Sequence, residues 1–146
     1  MENLAYLGMA CALCFSALGS GFGTGVAGQS AVGGWKKCYA AGKPAPFILV
    51  AFAGAPLTQT IYGFLLMTFI NSAFAADPSA YLLYLAVGVL GGLAIGLSAY
   101  FQGKVAAAAS DALSETGKGT ANYFIVIGIT ETVALFTLVF CLLLLG

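Results

Sequence analysis

Most of this sequence is taken up by four long apolar runs, at about residues 4–34, 47–72, 81–112 and 122–145. Each has room for the ~20 residues that a helix needs to cross a bilayer. Only 7% of the 146 residues are charged, against 61% hydrophobic, where a soluble domain carries about a quarter charged residues. The sequence therefore reads as an all-α integral membrane protein with four transmembrane helices. Its formal net charge is zero and it has no His. No basic stripe exists to neutralise phosphates, which excludes nucleic acid as a partner.

Three polar stretches separate the runs, at 35–46, 75–80 and 114–120, and their Gly and Pro residues are turn signals. Lys36, Lys37 and Lys43 lie in the first, Lys118 lies in the third, and Lys104 is on the approach to it. The middle stretch carries only Asp77. The positive-inside bias then puts the first and third connections in the cytoplasm, with both termini and the Asp77 loop outside. Met1-Glu-Asn-Leu-Ala5 has no basic residue. A cleaved signal peptide wants one, so the first run is expected to stay as a transmembrane helix. Cys11-Ala-Leu-Cys14 is a lone CxxC with no second pair and no His, and reads as small apolar residues on a helix.

The two halves of the chain align as a duplication. Thr58-Gln-Thr-Ile-Tyr-Gly-Phe-Leu-Leu66 lies over Thr130-Glu-Thr-Val-Ala-Leu-Phe-Thr-Leu138, which sets Gln59 opposite Glu131. Gly19-Ser-Gly-Phe-Gly-Thr-Gly25 lies over Leu97-Ser-Ala-Tyr-Phe-Gln-Gly103, which matches Thr24 to Gln102. Two helical hairpins are expected, residues 1–72 and 73–146, with the carboxylate kept only in the second. The first and third runs are rich in Gly, including Gly88, Gly92 and Gly96 at a four-residue repeat. Such spacing lets helices approach closely in lipid, so these two runs are expected to form a tight inner layer. Bulkier second and fourth runs would then face lipid. Gly23-Thr-Gly-Val-Ala-Gly28 formally matches GxGxxG. It has no βαβ context, so close helix packing is the better reading.

Inside the last apolar run stands Glu131, with no Lys, Arg or His in that run to neutralise it. A carboxylate at that depth costs ~2.5–3.5 kcal/mol on insertion scales and marks an ion path, a proton relay or a paired site. Residues equidistant from a hairpin turn lie at similar depth. Gln102 and Glu131 mirror about 116–117, Thr24 and Gln59 about 41–42, and Gln59 and Gln102 about 80–81. Four polar positions thus fall at one level. Thr58 and Tyr62 share a helix face, with Gln59 beside them. Pro56 has no N–H to give the carbonyl of Phe52, which loosens the backbone near Ala55. One carboxylate, two amide oxygens, a hydroxyl and a backbone carbonyl would suit a hard monovalent cation, by extension from the oxygen preference of Ca²⁺ and Mg²⁺. The competing reading is interhelical hydrogen bonding that only holds the bundle together.

Pro56-Leu-Thr-Gln-Thr-Ile-Tyr-Gly-Phe64, Gln102-Gly-Lys-Val-Ala-Ala-Ala108 and Gly128-Ile-Thr-Glu-Thr132 together resemble the membrane-rotor proteolipid of V-type (V/A-type) ATPases, the four-helix relative of the F-type c subunit. The resemblance implies a non-catalytic subunit in a ring of identical copies. That ring would turn in the lipid bilayer against a stator membrane subunit and would meet a central-stalk subunit at its cytoplasmic loops. In a bacterium or archaeon it would sit in the cytoplasmic membrane. The resemblance also implies a Na⁺ site formed by Glu131, Gln102, Gln59, Thr58 and the carbonyl of Ala55, with Tyr62 bonding the carboxylate, and H⁺ as the alternative coupling ion. Residues before the Thr-Gln pair, Ala55-Pro56-Leu57, depart from what relatives often carry, although a carbonyl ligand survives such a change. Rival readings are a small four-helix proton-coupled transporter and a structural pore with no ion site.

Overall fold

A computed structural model gives the positions of residues 3–146, and within them the secondary structure is helical throughout. Met1 and Glu2, part of the acid-only start that suggested a retained first helix, lie outside the described residues. The elements are α1 (Asn3–Ala40), α2 (Leu49–Gly54), a 3₁₀ turn (Ala55–Leu57), α3 (Thr58–Ala76), a second 3₁₀ turn (Pro78–Ala80), α4 (Tyr81–Thr116) and α5 (Thr120–Leu145). Because α2, the first 3₁₀ turn and α3 run on as one apolar segment, four stretches of the described chain are long and apolar enough to cross a membrane: Asn3–Ala40, Leu49–Ala76, Pro78–Thr116 and Thr120–Leu145. The chain is a multi-pass integral membrane protein.

Two helices run further than the apolar pattern alone suggests. α1 continues through Trp35, Lys36 and Lys37 to Ala40, and α4 continues to Thr116. The reason is polar: Lys37 Nζ lies 2.6 Å from Asp111 Oδ1 and 3.0 Å from Glu115 Oε1 across the α1–α4 seam. Hydropathy stops at the membrane surface, whereas helical hydrogen bonding and ion pairing continue beyond it. Glycine sets both stops. Gly42 has φ +63° and follows a last turn closed by Lys43 N–H to Cys38 O and Gly42 N–H to Tyr39 O, the bond pair of a Schellman cap. Gly117 caps α4 at φ +65° with its N–H on Leu113 O. The first connection is fastened by Trp35 Nε1 donating to Pro46 O at 2.8 Å. Tyr84 Oη secures the turn around Asp77 by donating to the carbonyls of Ala73 and Asp77.

Packing follows the glycines. A Cβ built on Gly19 would strike the backbone of Gly96, one on Gly88 the backbone of Gly8, and one on Gly103 the backbone of Gly23. α1 and α4 therefore touch backbone to backbone along their length, as the Gly repeat suggests. The GxGxxG reading needs correction in part. Gly23 is a contact position, whereas Gly25 and Gly28 face open space, so close packing uses one glycine of the three. α5 lies at the other extreme: its buried residues are Ile127, Ala134 and Leu138, while Ile129, Phe136 and Phe140 are exposed. Two apolar clusters fill the interior. One joins Ala12, Leu66, Ile95 and Leu138, and the other joins Ala27, Phe52, Ala106 and Ile127.

Candidate functional site

Between the two apolar clusters lies a polar layer built from three spans. Pro56 interrupts the second span, and the chain answers with the 3₁₀ turn Ala55–Leu57, after which α3 starts at Thr58. The turn leaves the Ala55 carbonyl beside the Thr58 hydroxyl, at 3.1 Å. From α3, Thr58 and Tyr62 present two hydroxyls on one face. Gln59, one residue on from Thr58, is fully buried. α4 contributes Gln102, also fully buried, and α5 contributes Glu131, which is half-buried.

These side chains form one connected network. Thr58 Oγ1 donates to Glu131 Oε1 at 2.6 Å, and Tyr62 Oη donates to the same oxygen at 2.7 Å. Gln102 Nε2 donates to the other carboxylate oxygen, Oε2, at 3.2 Å and to the Ile127 carbonyl at 3.1 Å. Gln59 Nε2 donates to Gln102 Oε1 at 2.7 Å, while Gln59 Oε1 sits 3.1 Å from Thr58 Oγ1. The carboxylate is thus surrounded by donors. An ionised carboxyl accepts only, so this pattern fits the charged form.

The charge itself is the chemical question. Glu131 falls near the middle of a 26-residue helix, which spans about 39 Å at 1.5 Å per residue. Donor hydrogen bonds spread its charge without cancelling it, and no cation of the protein bonds it among the described residues. No cluster of three or more His, Cys, Asp or Glu occurs among those residues either, so the donors do not suit a transition metal. What the site offers is oxygen: the two carboxylate oxygens, two amide oxygens, the Thr58 and Tyr62 hydroxyls and the Ala55 carbonyl.

All six residues singled out in the sequence, Ala55, Thr58, Gln59, Tyr62, Gln102 and Glu131, belong to this one network. Thr24 does not. It lies on α1, and its hydroxyl makes no bond to the network, so mirroring about the turns gives its level and not its partners. Depth is set by distance from a turn, whereas contact also needs the right helix face. One residue was missed: Ser98 Oγ donates to the Thr130 carbonyl at 2.9 Å. Its signal was available, since Ser98 stands four residues before Gln102 on the same face of α4.

Residues 85–144 match the model of the ATP synthase C-subunit family. The chain is also 36% identical over 146 residues to the A-type ATP synthase subunit K of Methanocaldococcus jannaschii. That alignment covers 97% of this chain and 61% of the relative. The chain thus spans about three fifths of the length of the curated relative it matches. Glu131 and Gln102 both fall inside the matched segment, whereas Thr58, Gln59 and Tyr62 lie before it.

Proposed function

We propose that this chain is the ion-carrying rotor subunit of a rotary ATPase or ATP synthase of the V/A type. It would work as a ring of identical copies, each carrying one Na⁺ on Glu131 past a stator. The similarity to the ATP synthase C-subunit family and to a subunit K supports the rotor role. The observation that carries the ion reading is the convergence of Thr58, Tyr62 and Gln102 on one mid-span carboxylate. In this reading the chain itself catalyses nothing, and ATP chemistry belongs to partner proteins of the complex.

The mechanism is electrostatic. A bound Na⁺ cancels the charge of Glu131, and the neutral site passes through lipid without the ~2.5–3.5 kcal/mol insertion cost of a bare carboxylate. A cationic group on the stator competes for Glu131, releases the ion, and yields when a fresh ion arrives. Each charge moved across the membrane is worth ~2.3 kcal/mol per 100 mV. Thr58 and Tyr62 orient the carboxylate, and Gln59, Gln102 and the Ala55 carbonyl supply neutral oxygens. The first and third connections, with their lysines, face the cytoplasm and the central stalk.

One observation favours H⁺ as a second reading. Gln59 donates its amide to Gln102 Oε1, so one candidate ligand oxygen is already engaged in the network. Gln59 Oε1 already sits 3.1 Å from Thr58 Oγ1, so it is Gln102 Oε1 that Na⁺ would have to share with the Gln59 amide or free from it. Carbodiimide labelling of Glu131 at constant pH separates the two. Sodium that slows labelling in a saturable way supports the cation site, whereas labelling indifferent to sodium but slowed by rising pH selects H⁺. Glu131→Gln should abolish labelling and ion transport while leaving ring assembly intact. Transport that survives this substitution sinks the rotor-site reading.

A further inference from the structure

α5 is held loosely by packing at the level of Glu131. Its buried side chains are Ile127, Ala134 and Leu138, so none lies between residues 128 and 133. A Cβ on Gly128 would meet nothing within 4 Å. Turning such a helix about its axis costs little in lipid, because the tails are as apolar as Leu and no hydrophobic force draws helices together. The direction in which Glu131 points must then be set by interhelical hydrogen bonds.

Bonds to the carboxylate cannot do this alone, because a Glu side chain follows its donors through its own torsions. Bonds to the α5 backbone can. Around Glu131, two such bonds come from another helix among the described residues, and both start on α4. Gln102 Nε2 donates to the Ile127 carbonyl at 3.1 Å, and Ser98 Oγ donates to the Thr130 carbonyl at 2.9 Å. Gln102 is long, and it also serves Glu131 and Gln59. Ser98 reaches across through a single torsion, so its link is the stiffer one. A carbonyl oxygen has two lone pairs, so Thr130 accepts this bond beside its helical one.

Two contrasts within the chain set Ser98 apart. Ser110 and Ser114, also buried on α4, each donate to the carbonyl four residues back on their own helix, a bond open to any Ser inside a helix. Ser98, only 5% exposed, crosses to α5 instead. In the duplication Ser98 lies over Ser20, and Thr130-Glu131 over Thr58-Gln59. Ser20 Oγ is buried and has no partner in the protein. The crossing bond therefore occurs only in the half that keeps the carboxylate.

We propose that Ser98 is a positioning residue of the ion site. Its hydroxyl pins the Thr130 carbonyl, fixes the rotation of α5 and so keeps Glu131 Oε1 within reach of Thr58 and Tyr62. Ser98 itself touches no ion. The functional consequence, firm retention of the ion, rests on the reading of Glu131 as the carrier.

The test is labelling of Glu131 by a lipid-soluble carbodiimide, in membranes carrying the whole protein and at one fixed pH. Without sodium, Ser98→Ala should label about fivefold faster than the unsubstituted chain, because Oε1 leaves its two donors sooner. With sodium, half-protection should need about fivefold more of it. Ser98→Thr keeps the hydroxyl and should return both values to those of the unsubstituted chain. Ser110→Ala removes another buried hydroxyl from the same helix and should change neither. Unchanged labelling of Ser98→Ala overturns the proposal, and so does an equal change in Ser110→Ala, which would mark a general loosening of α4. Ser98→Thr that labels like Ser98→Ala also overturns it. If sodium does not protect the unsubstituted chain, the Na⁺ reading falls, and the sodium-free comparison still decides on Ser98.

Discussion

Tyr62 is the residue whose purpose is easiest to isolate, because its hydroxyl has one proton to donate and gives it to Glu131 Oε1. Hydrogen bonds to charged groups contribute about 1.5–3 kcal/mol, and the half-buried setting argues for the low end. Tyr62→Phe keeps the ring and removes only the donor. It should raise the sodium concentration for half-protection of Glu131 against carbodiimide by about tenfold, which corresponds to ~1.4 kcal/mol. Half-protection at an unchanged concentration would mean that Tyr62 packs beside the site without stabilising it. Residue identity at this site was legible because lipid makes each polar side chain conspicuous: Glu131, Gln102 and Gln59 stand out from apolar surroundings. The wiring was not legible. No sequence pattern tells which amide oxygen Gln59 engages, or that Thr24 makes no bond to the network, since those depend on helix rotation about its axis.

Among the elements, α1 and α4 carry the tightest constraint, and it can be tested with a matched pair of glycines. A Cβ on Gly19 would collide with Gly96 backbone, whereas one on Gly33 meets open space. Gly19→Ala must therefore push the helices apart, an overpacking cost of about 1–3 kcal/mol. Gly33→Ala should be neutral, or stabilising by ~0.4–1 kcal/mol through the loss of unfolded-state freedom. Thermal aggregation of the two purified variants reads this out, and equal melting would deny the backbone contact. The turn at Asp77 offers a second test. Asp77 Oδ1 accepts from Ser79 N–H and Oγ, and these bonds hold its carboxyl below the usual range. A depressed folded pKa means that this stabilisation is present above pH ~3.9 and lost as pH falls below it. Hydrogen-exchange protection in the turn, taken relative to the intrinsic rate at each pH, should fall on acidification through that window, and Asp77→Ala should remove the dependence. The helix count was readable from hydropathy, but the true ends of α1 and α4 were not. Ion pairs of Lys37 and the φ of Gly42 and Gly117 decide them, beyond the reach of an apolar pattern.

For the whole molecule, the distribution of lysines argues a direction through the membrane. Lys36, Lys37, Lys43 and Lys118 all lie at one end, and Asp77 at the other. Asp111 and Glu115 share the lysine end and pair with Lys37, so the net charge there is much smaller than the lysine count. That does not weaken the inference. Orientation follows the Lys and Arg number in short connections, and acidic residues contribute little to it. The salt bridges are half-exposed on both sides, where such pairs contribute ~0–1 kcal/mol, so they join two helix ends without setting topology. Single cysteines at exposed positions then report sidedness. In sealed vesicles, Lys43→Cys should react with a membrane-impermeant maleimide only from the cytoplasmic face, and Ala76→Cys only from the opposite face. The unsubstituted chain, whose Cys11, Cys14 and Cys141 lie within spans and whose Cys38 is buried, provides the background. Reversed labelling would invert the insertion. It would place the lysine connections on the side away from the cytoplasm, where a central stalk carrying nucleotide-driven torque could not reach them, and the rotor reading would fail with it.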